Sequence, residues 1–135
     1  MEVAFHAELS NHIHLVVRTR PDVVDTWTDE EVIRRWLTIS RLIRSRDGET
    51  IRPVTDEEIA VEAAKPDRIA KLRSRLSSVS QFMKALCEHI ARRANREEGV
   101  TGDFFEGRFR SRKLEHEGSI LVCGIYVDLN PHVGV

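Results

Sequence analysis

The sequence predicts an α+β fold, and three observations lead to it. Two alternating apolar runs near the start flank a polar pause at Ser10-Asn11. Two capping-box signatures, Thr28-Asp-Glu-Glu31 and Thr55-Asp-Glu-Glu58, open helical patterns in the middle of the chain. A further apolar segment, Ile120 to Leu129, keeps helical spacing near the end. With 135 residues, 41% hydrophobic and 32% charged, the chain has enough apolar material for a single domain over 1–135 around a core, and it lacks the composition of a disordered one.

From Val3 the run Val-Ala-Phe-His-Ala-Glu-Leu predicts one strand, and His-Ile-His-Leu-Val-Val-Arg from His12 a second, joined by a tight turn. A period of two puts His12, His14 and Val16 on one face and Ile13, Leu15 and Val17 on the other. Pro21 ends this strand.

The Thr28 capping box then starts a helix with Val32, Ile33, Trp36, Leu37, Ser40 and Ile43 at helical spacing, stopped by Asp47-Gly48. The Thr55 box opens a short acidic helix that Pro66 interrupts or restarts. From Pro66 to about Asn95 the residues Ile69, Leu72, Leu76, Val79, Phe82, Met83, Leu86 and Ile90 fit one long helix or two broken near Ser77-Ser78. Arg92, Arg93 and Arg96 load its last turn, and Gly99 is a natural stop. Phe104 to Glu115 reads as a strand with one basic face. Gly118-Ser119 then leads into a short helix stopped by Pro131.

Cys87 and Cys123 are far apart and sit in apolar helical patterns, so buried free thiols are expected rather than a disulfide or a cysteine zinc site. The start has no basic n-region followed by a long apolar h-region, and no apolar run approaches the roughly 18 residues a membrane span needs. A cytoplasmic, reducing location and no membrane partner are the resulting expectations.

Three constellations can carry chemistry. His12 and His14, one residue apart on a strand, project two imidazoles the same way and can converge on one cation; the same spacing also suits two rings that cap a sheet face. A complete site needs a third donor from elsewhere. Tyr126 and Asn130, at i and i+4, share a helix face one turn apart, although each also suits an ordinary structural position. Arg108, Arg110 and Arg112 alternate along a strand and align guanidiniums that match phosphate geometry, with Lys113 beside them; a solvated edge strand would show the same pattern.

Taken together and in this order, Asn-His-Ile-His-Leu-Val-Val at Asn11 to Val17, Gly-Asp-Phe-Phe-Glu-Gly-Arg-Phe-Arg-Ser at Gly102 to Ser111, and Tyr-Val-Asp-Leu-Asn-Pro at Tyr126 to Pro131 resemble the single-tyrosine transposases of the HUH endonuclease superfamily. The likeness is nearest to the REP-associated tyrosine transposases and their insertion-sequence relatives. Ser-Gln-Phe-Met-Lys at Ser80 to Lys84 and the later Asn95 fit the same pattern, while the segment from Pro21 to Ser77 contributes little.

The resemblance implies a ferredoxin-like antiparallel sheet backed by helices, with a helical insertion over about 21–77. It implies His12, His14 and Asn130 as ligands of a divalent Mg or Mn ion, Tyr126 as the nucleophile, and Arg108, Arg110, Arg112 and Lys113 as the DNA-binding strand. The activity it implies is DNA transposition: cleavage and rejoining of single-stranded, hairpin-associated DNA through a 5′-phosphotyrosine, in a bacterial, nucleoid-associated protein. Two departures from the family pattern stand out. Only eleven residues precede His12, so the first family strand is expected to be missing, and the tail Pro-His-Val-Gly-Val differs from the usual continuation. Truncation at both ends favours dimer formation, or an inactive relative that binds hairpin DNA without cutting it. A histidine-triad nucleotide hydrolase would want a further His at position 16, where Val stands.

Lys+Arg 21 against Asp+Glu 22 gives a net charge of −1, which argues against a nucleic-acid binder held by bulk charge. The average hides segregation. Asp29, Glu30, Glu31, Asp56, Glu57, Glu58 and Glu62 cluster in the middle segment, whereas Arg92, Arg93, Arg96, Arg108, Arg110, Arg112 and Lys113 follow it.

Overall fold

The computed structural model describes residues 1–8, 13–45, 50–99 and 109–133, with position 8 and positions 126–133 described by backbone alone. The architecture is α+β: one two-stranded antiparallel sheet and several helices.

The expected hairpin is present as β1 (Glu2–Glu8) and β2 (Ile13–Arg18). Phe5 pairs with Val16 and Ala7 with His14, while an irregularity between Val3 and Phe5 shifts the register at the open end. Because paired residues point to the same face, Phe5, Ala7, His14 and Val16 share one side of the sheet.

Pro21 does more than end β2. It opens α1 (Pro21–Thr26), an unexpected short helix, because proline's fixed φ and missing N–H suit a first helical position. Both capping boxes form. In α2 (Asp29–Arg44) the Glu31 amide donates to Thr28 Oγ1 at 3.2 Å, and the Thr28 amide donates to a Glu31 carboxylate oxygen at 3.3 Å. The same reciprocal pair opens α3 (Asp56–Ala63), at 3.3 and 2.9 Å. Helix α2 ends at Arg44 with Ser45 as its cap, and Asp47-Gly48 lie outside the described residues.

Pro66 falls in the turn between α3 and α4 (Arg68–Leu76), where Asp67 adopts a left-handed φ of 55° that a short polar side chain tolerates. The chain then breaks at Ser77-Ser78, so two helices form rather than one. Ser78 Oγ accepts from the Gln81 amide at the start of α5 (Val79–Glu98), and Gly99 closes α5 with a φ of 67°. Arg92 and Arg96 act across helices rather than on the end of their own. They donate to the Ile43 and Ser45 carbonyls at 3.1 and 3.4 Å, satisfying acceptors at the C-terminal end of α2.

Two expectations near the end of the chain are corrected. Residues 109–115 form no strand, and Phe104 to Arg108 lie outside the described residues. A run of alternating cations offers little apolar surface to bury, and only Leu114 of this stretch is half-buried. Pro131 does not stop α6 (Glu117–Val133), which runs through it. Near a helix end the missing proline N–H forfeits at most one bond.

Among the described residues most buried apolar side chains fall into two clusters, with Val24 of α1 buried apart from both. Val32, Ile33, Ile59 and Leu72 form the larger, packed round by Trp27, Trp36, Leu37, Val54, Ile69 and Leu76. This cluster joins α2 to α3 and α4, with α1 packed on α4 and α5 against α2 and α4. Ala7 and Val16 form the smaller, with Phe5, Leu114 and Cys123 against them, where α6 lies mainly on β1 and also on β2. Cys87 and Cys123 are free, as expected, but half-buried rather than buried. Burial still pushes the Cys87 thiol above its ordinary range. Among the described residues no helix is long and apolar enough to cross a membrane.

Candidate metal and nucleic-acid site

The site is built on β2. Strand alternation puts His14 on the Val16 side of the sheet, and this is the side that α6 covers. His14 is half-buried, between the solvated edge and the Ala7–Val16 cluster. His12 lies outside the described residues.

Tyr126 and Asn130 both belong to α6, one turn apart along its backbone, and their side chains lie outside the described residues. Gly124 is buried, and Cys123 packs on the sheet cluster. The helix bearing the expected nucleophile and third ligand is therefore the helix that packs on the histidine strand. Among the described residues no group of three His, Cys, Asp or Glu side chains stands together as a metal site; the expected donor set takes its third member from an asparagine amide. Two imidazoles and one carboxamide oxygen form a mixed nitrogen and oxygen set, chemically suited to a divalent cation that accepts both donor types.

Arg110, Arg112 and Lys113 are exposed in the segment before α6, and Arg108 lies outside the described residues. Lys113 Nζ is 3.3 Å from Glu115 Oε1 across a largely solvated pair, a geometry worth little net energy. Phe109 stands among these cations with 40% of its surface exposed. Arg112, Lys113 and His116, with Ser119, Val122 and Cys123 of α6, line an open groove of about 730 Å³. Without a strand the guanidiniums lose strict alternation, but the cations stay together beside α6.

The acidic residues of the middle segment do not form a bare acidic face. Asp29 pairs with Arg73, Asp56 with Arg34, and Glu58 with both Arg41 and Arg52. Hydrogen bonds from Arg41, from the Thr55 amide and from Arg52 push the Glu58 carboxyl down to about 2. Glu62 is likewise lowered, first by Lys65 and then by Arg68. The segment neutralises its own charge, which leaves the cations before α6 uncancelled by it.

One feature of the site escapes motif reading. A Cβ on Gly124 would lie 2.6 Å from two ring carbons of Phe5, so a side chain there would force the ring or the helix to shift. Its signal in the sequence is a glycine inside an apolar helical run, which marks a close approach.

Comparison with protein-family models, with curated proteins and with solved structures returns no match.

Proposed function

We propose that this protein is a single-tyrosine DNA transposase of the HUH type, which cuts and rejoins single-stranded, hairpin-associated DNA through a 5′-phosphotyrosine. The observation that carries the reading is the packing of α6, with Tyr126 and Asn130 on its backbone, against the sheet face that bears His14. Supporting it, β2 and α6, which come from opposite ends of the described chain, pack together, as a site shared between a histidine strand and a tyrosine helix would require.

His12, His14 and Asn130 would hold a divalent Mg or Mn ion, which supplies charge withdrawal and orientation at the scissile phosphate. The Tyr126 oxygen attacks phosphorus; the new phenolic O–P bond forms as the bond to the 3′-oxygen breaks. The phenolic proton leaves to a base, and the departing 3′-oxygen takes up a proton to become a hydroxyl. The covalent phosphotyrosine conserves the phosphodiester for rejoining, so no nucleotide hydrolysis is required. A free phenol titrates near pH 10, so a nearby base, or proximity to the cation when bound, would have to assist the attack. Arg110, Arg112 and Lys113, with Arg108, contact phosphates of the strand along the groove, and Phe109 offers a face for base stacking. In this reading the hairpin is part of a ferredoxin-like sheet backed by helices that include α6, and α1 to α4 form the insertion over about 21–77.

The test is direct. Purified protein with Mn or Mg and a hairpin-bearing single-stranded oligonucleotide should form a covalent adduct that survives denaturing electrophoresis and disappears in Tyr126→Phe. An adduct persisting in that variant overturns the nucleophile assignment. Hairpin binding that ignores chelator and never yields an adduct would instead favour a binding protein without cleavage.

A further inference from the structure

We propose that the contact between Gly124 and Phe5 is the spacer that sets how far α6 stands from the His14 face, and that Gly124 is thereby a positioning residue for Tyr126. The catalytic half of this inference rests on the reading of Tyr126 as the nucleophile; the spacing half does not.

A Cβ on Gly124 would meet Phe5 Cε2 and Cζ at 2.6 Å and Cδ2 at 2.9 Å, whereas ordinary contact begins at 3.4 Å. Three atoms of one ring face the same point, so the whole ring must swing aside if the helix does not move. The ring is rigid and packs on Ala7 and Val16, and relief must come from moving the helix outward or expelling the ring from its cluster. Glycine inside a helix costs about 1 kcal/mol relative to alanine. Here the close approach offsets that cost.

The contact is also local to the chemistry. Phe5 pairs directly with Val16, the next residue after His14 on that face of β2. Gly124 precedes Tyr126 by two positions on α6. A methyl group at position 124 therefore displaces the Tyr126 backbone from the histidine strand by roughly 1 Å, a misplacement that costs about 100-fold where reacting groups must align.

The experiment is a double-mutant cycle of Gly124→Ala and Phe5→Leu, read in two ways. Thermal unfolding tests the spacer without reference to activity: Gly124→Ala should lower Tm by about 5 °C, as overpacking does, and adding Phe5→Leu should return most of the loss. Additive effects of the two substitutions overturn the spacer, as does a double variant that fails to fold. Single-turnover adduct formation with Mn and the hairpin oligonucleotide tests positioning. Gly124→Ala should slow the adduct about 100-fold while Mn affinity and oligonucleotide affinity stay within threefold, and the double variant should recover at least tenfold. An unchanged adduct rate in Gly124→Ala, or an equal loss of Mn binding, overturns the positioning role. A wild-type protein that forms no adduct overturns the transposase reading and with it the positioning role, while the unfolding cycle still decides the spacer.

Discussion

Arg73 of α4 holds Trp27 by its backbone, its Nη2 donating to the Trp27 carbonyl oxygen at 2.7 Å. The same guanidinium donates to the Val24 carbonyl at 2.7 Å and to Asp29 Oδ1 at 2.9 Å. One planar fork thus closes the end of α1 and reaches the start of α2. Arg73→Ala should destabilise the protein by about 1–3 kcal/mol in urea unfolding, because part-buried carbonyls lose their donors. Arg73→Lys should recover less than half of that, since an ammonium cannot span the same acceptors. Full recovery by lysine would show that charge alone, and not the fork, holds α1.

The Glu58 carboxyl has a signature in acid. Its folded pKa of about 2 lies below its ordinary 4.5, so its contribution to stability is fully present above about pH 4.5 and is lost as pH falls toward 2. Glu58→Gln should be less stable than the wild type at pH 7, and the difference should shrink through that window. A difference that stays constant from pH 5 to pH 2 would remove the Arg41 and Arg52 pairing as its source.

At the site, His14→Ala should leave the α2–α3–α4 core intact, because His14 stands on β2 near the separate Ala7–Val16 cluster. Adduct formation should fall by about 100-fold or more, in line with removal of a group that supports transition-state charge. If His12 and His14 both ligate, Mn should support the wild-type reaction at lower concentration than Mg, which favours all-oxygen sites. Circular dichroism with a metal titration of the adduct rate separates these effects from misfolding. A His14→Ala protein with wild-type rates at every metal concentration would clear His14 of a ligand role.

The exposed cations before α6 should register in salt dependence. If Arg110 and Arg112 each neutralise one phosphate of a single strand, changing both to Ala should make the plot of log K against log salt shallower by about 1.4. Fluorescence anisotropy with a labelled hairpin oligonucleotide measures it. An unchanged slope would mean that these side chains contact no phosphate.

Local rules made much of the helical layer legible. The reciprocal Thr28–Glu31 and Thr55–Glu58 bonds, the Ser78 cap and the left-handed Gly99 each follow from residues a few positions apart, as does the hairpin from its alternation. Non-local contacts were not legible in this way. The strand expected after Phe104 would need partner strands to satisfy its backbone, and nothing near it in sequence reports whether they exist. Acidic clustering misled for the same reason: Asp29 and Glu58 find Arg73 and Arg41 through tertiary packing. At the candidate site, residue types and order pointed to His14 and Tyr126, while the placing of α6 over the His14 face, and Gly124 against Phe5, came from the fold.

The hairpin comes from the beginning of the chain and its covering helix from the end, with the larger apolar cluster folded between them. Since the sheet and α6 are separated in sequence by this helical layer, its compactness should bear on the effective concentration of α6 at the sheet. A substitution that loosens the Ile33–Leu72 cluster would then thin out the population in which α6 lies on the sheet, and amide exchange in β1 and β2 should quicken before the helical layer melts.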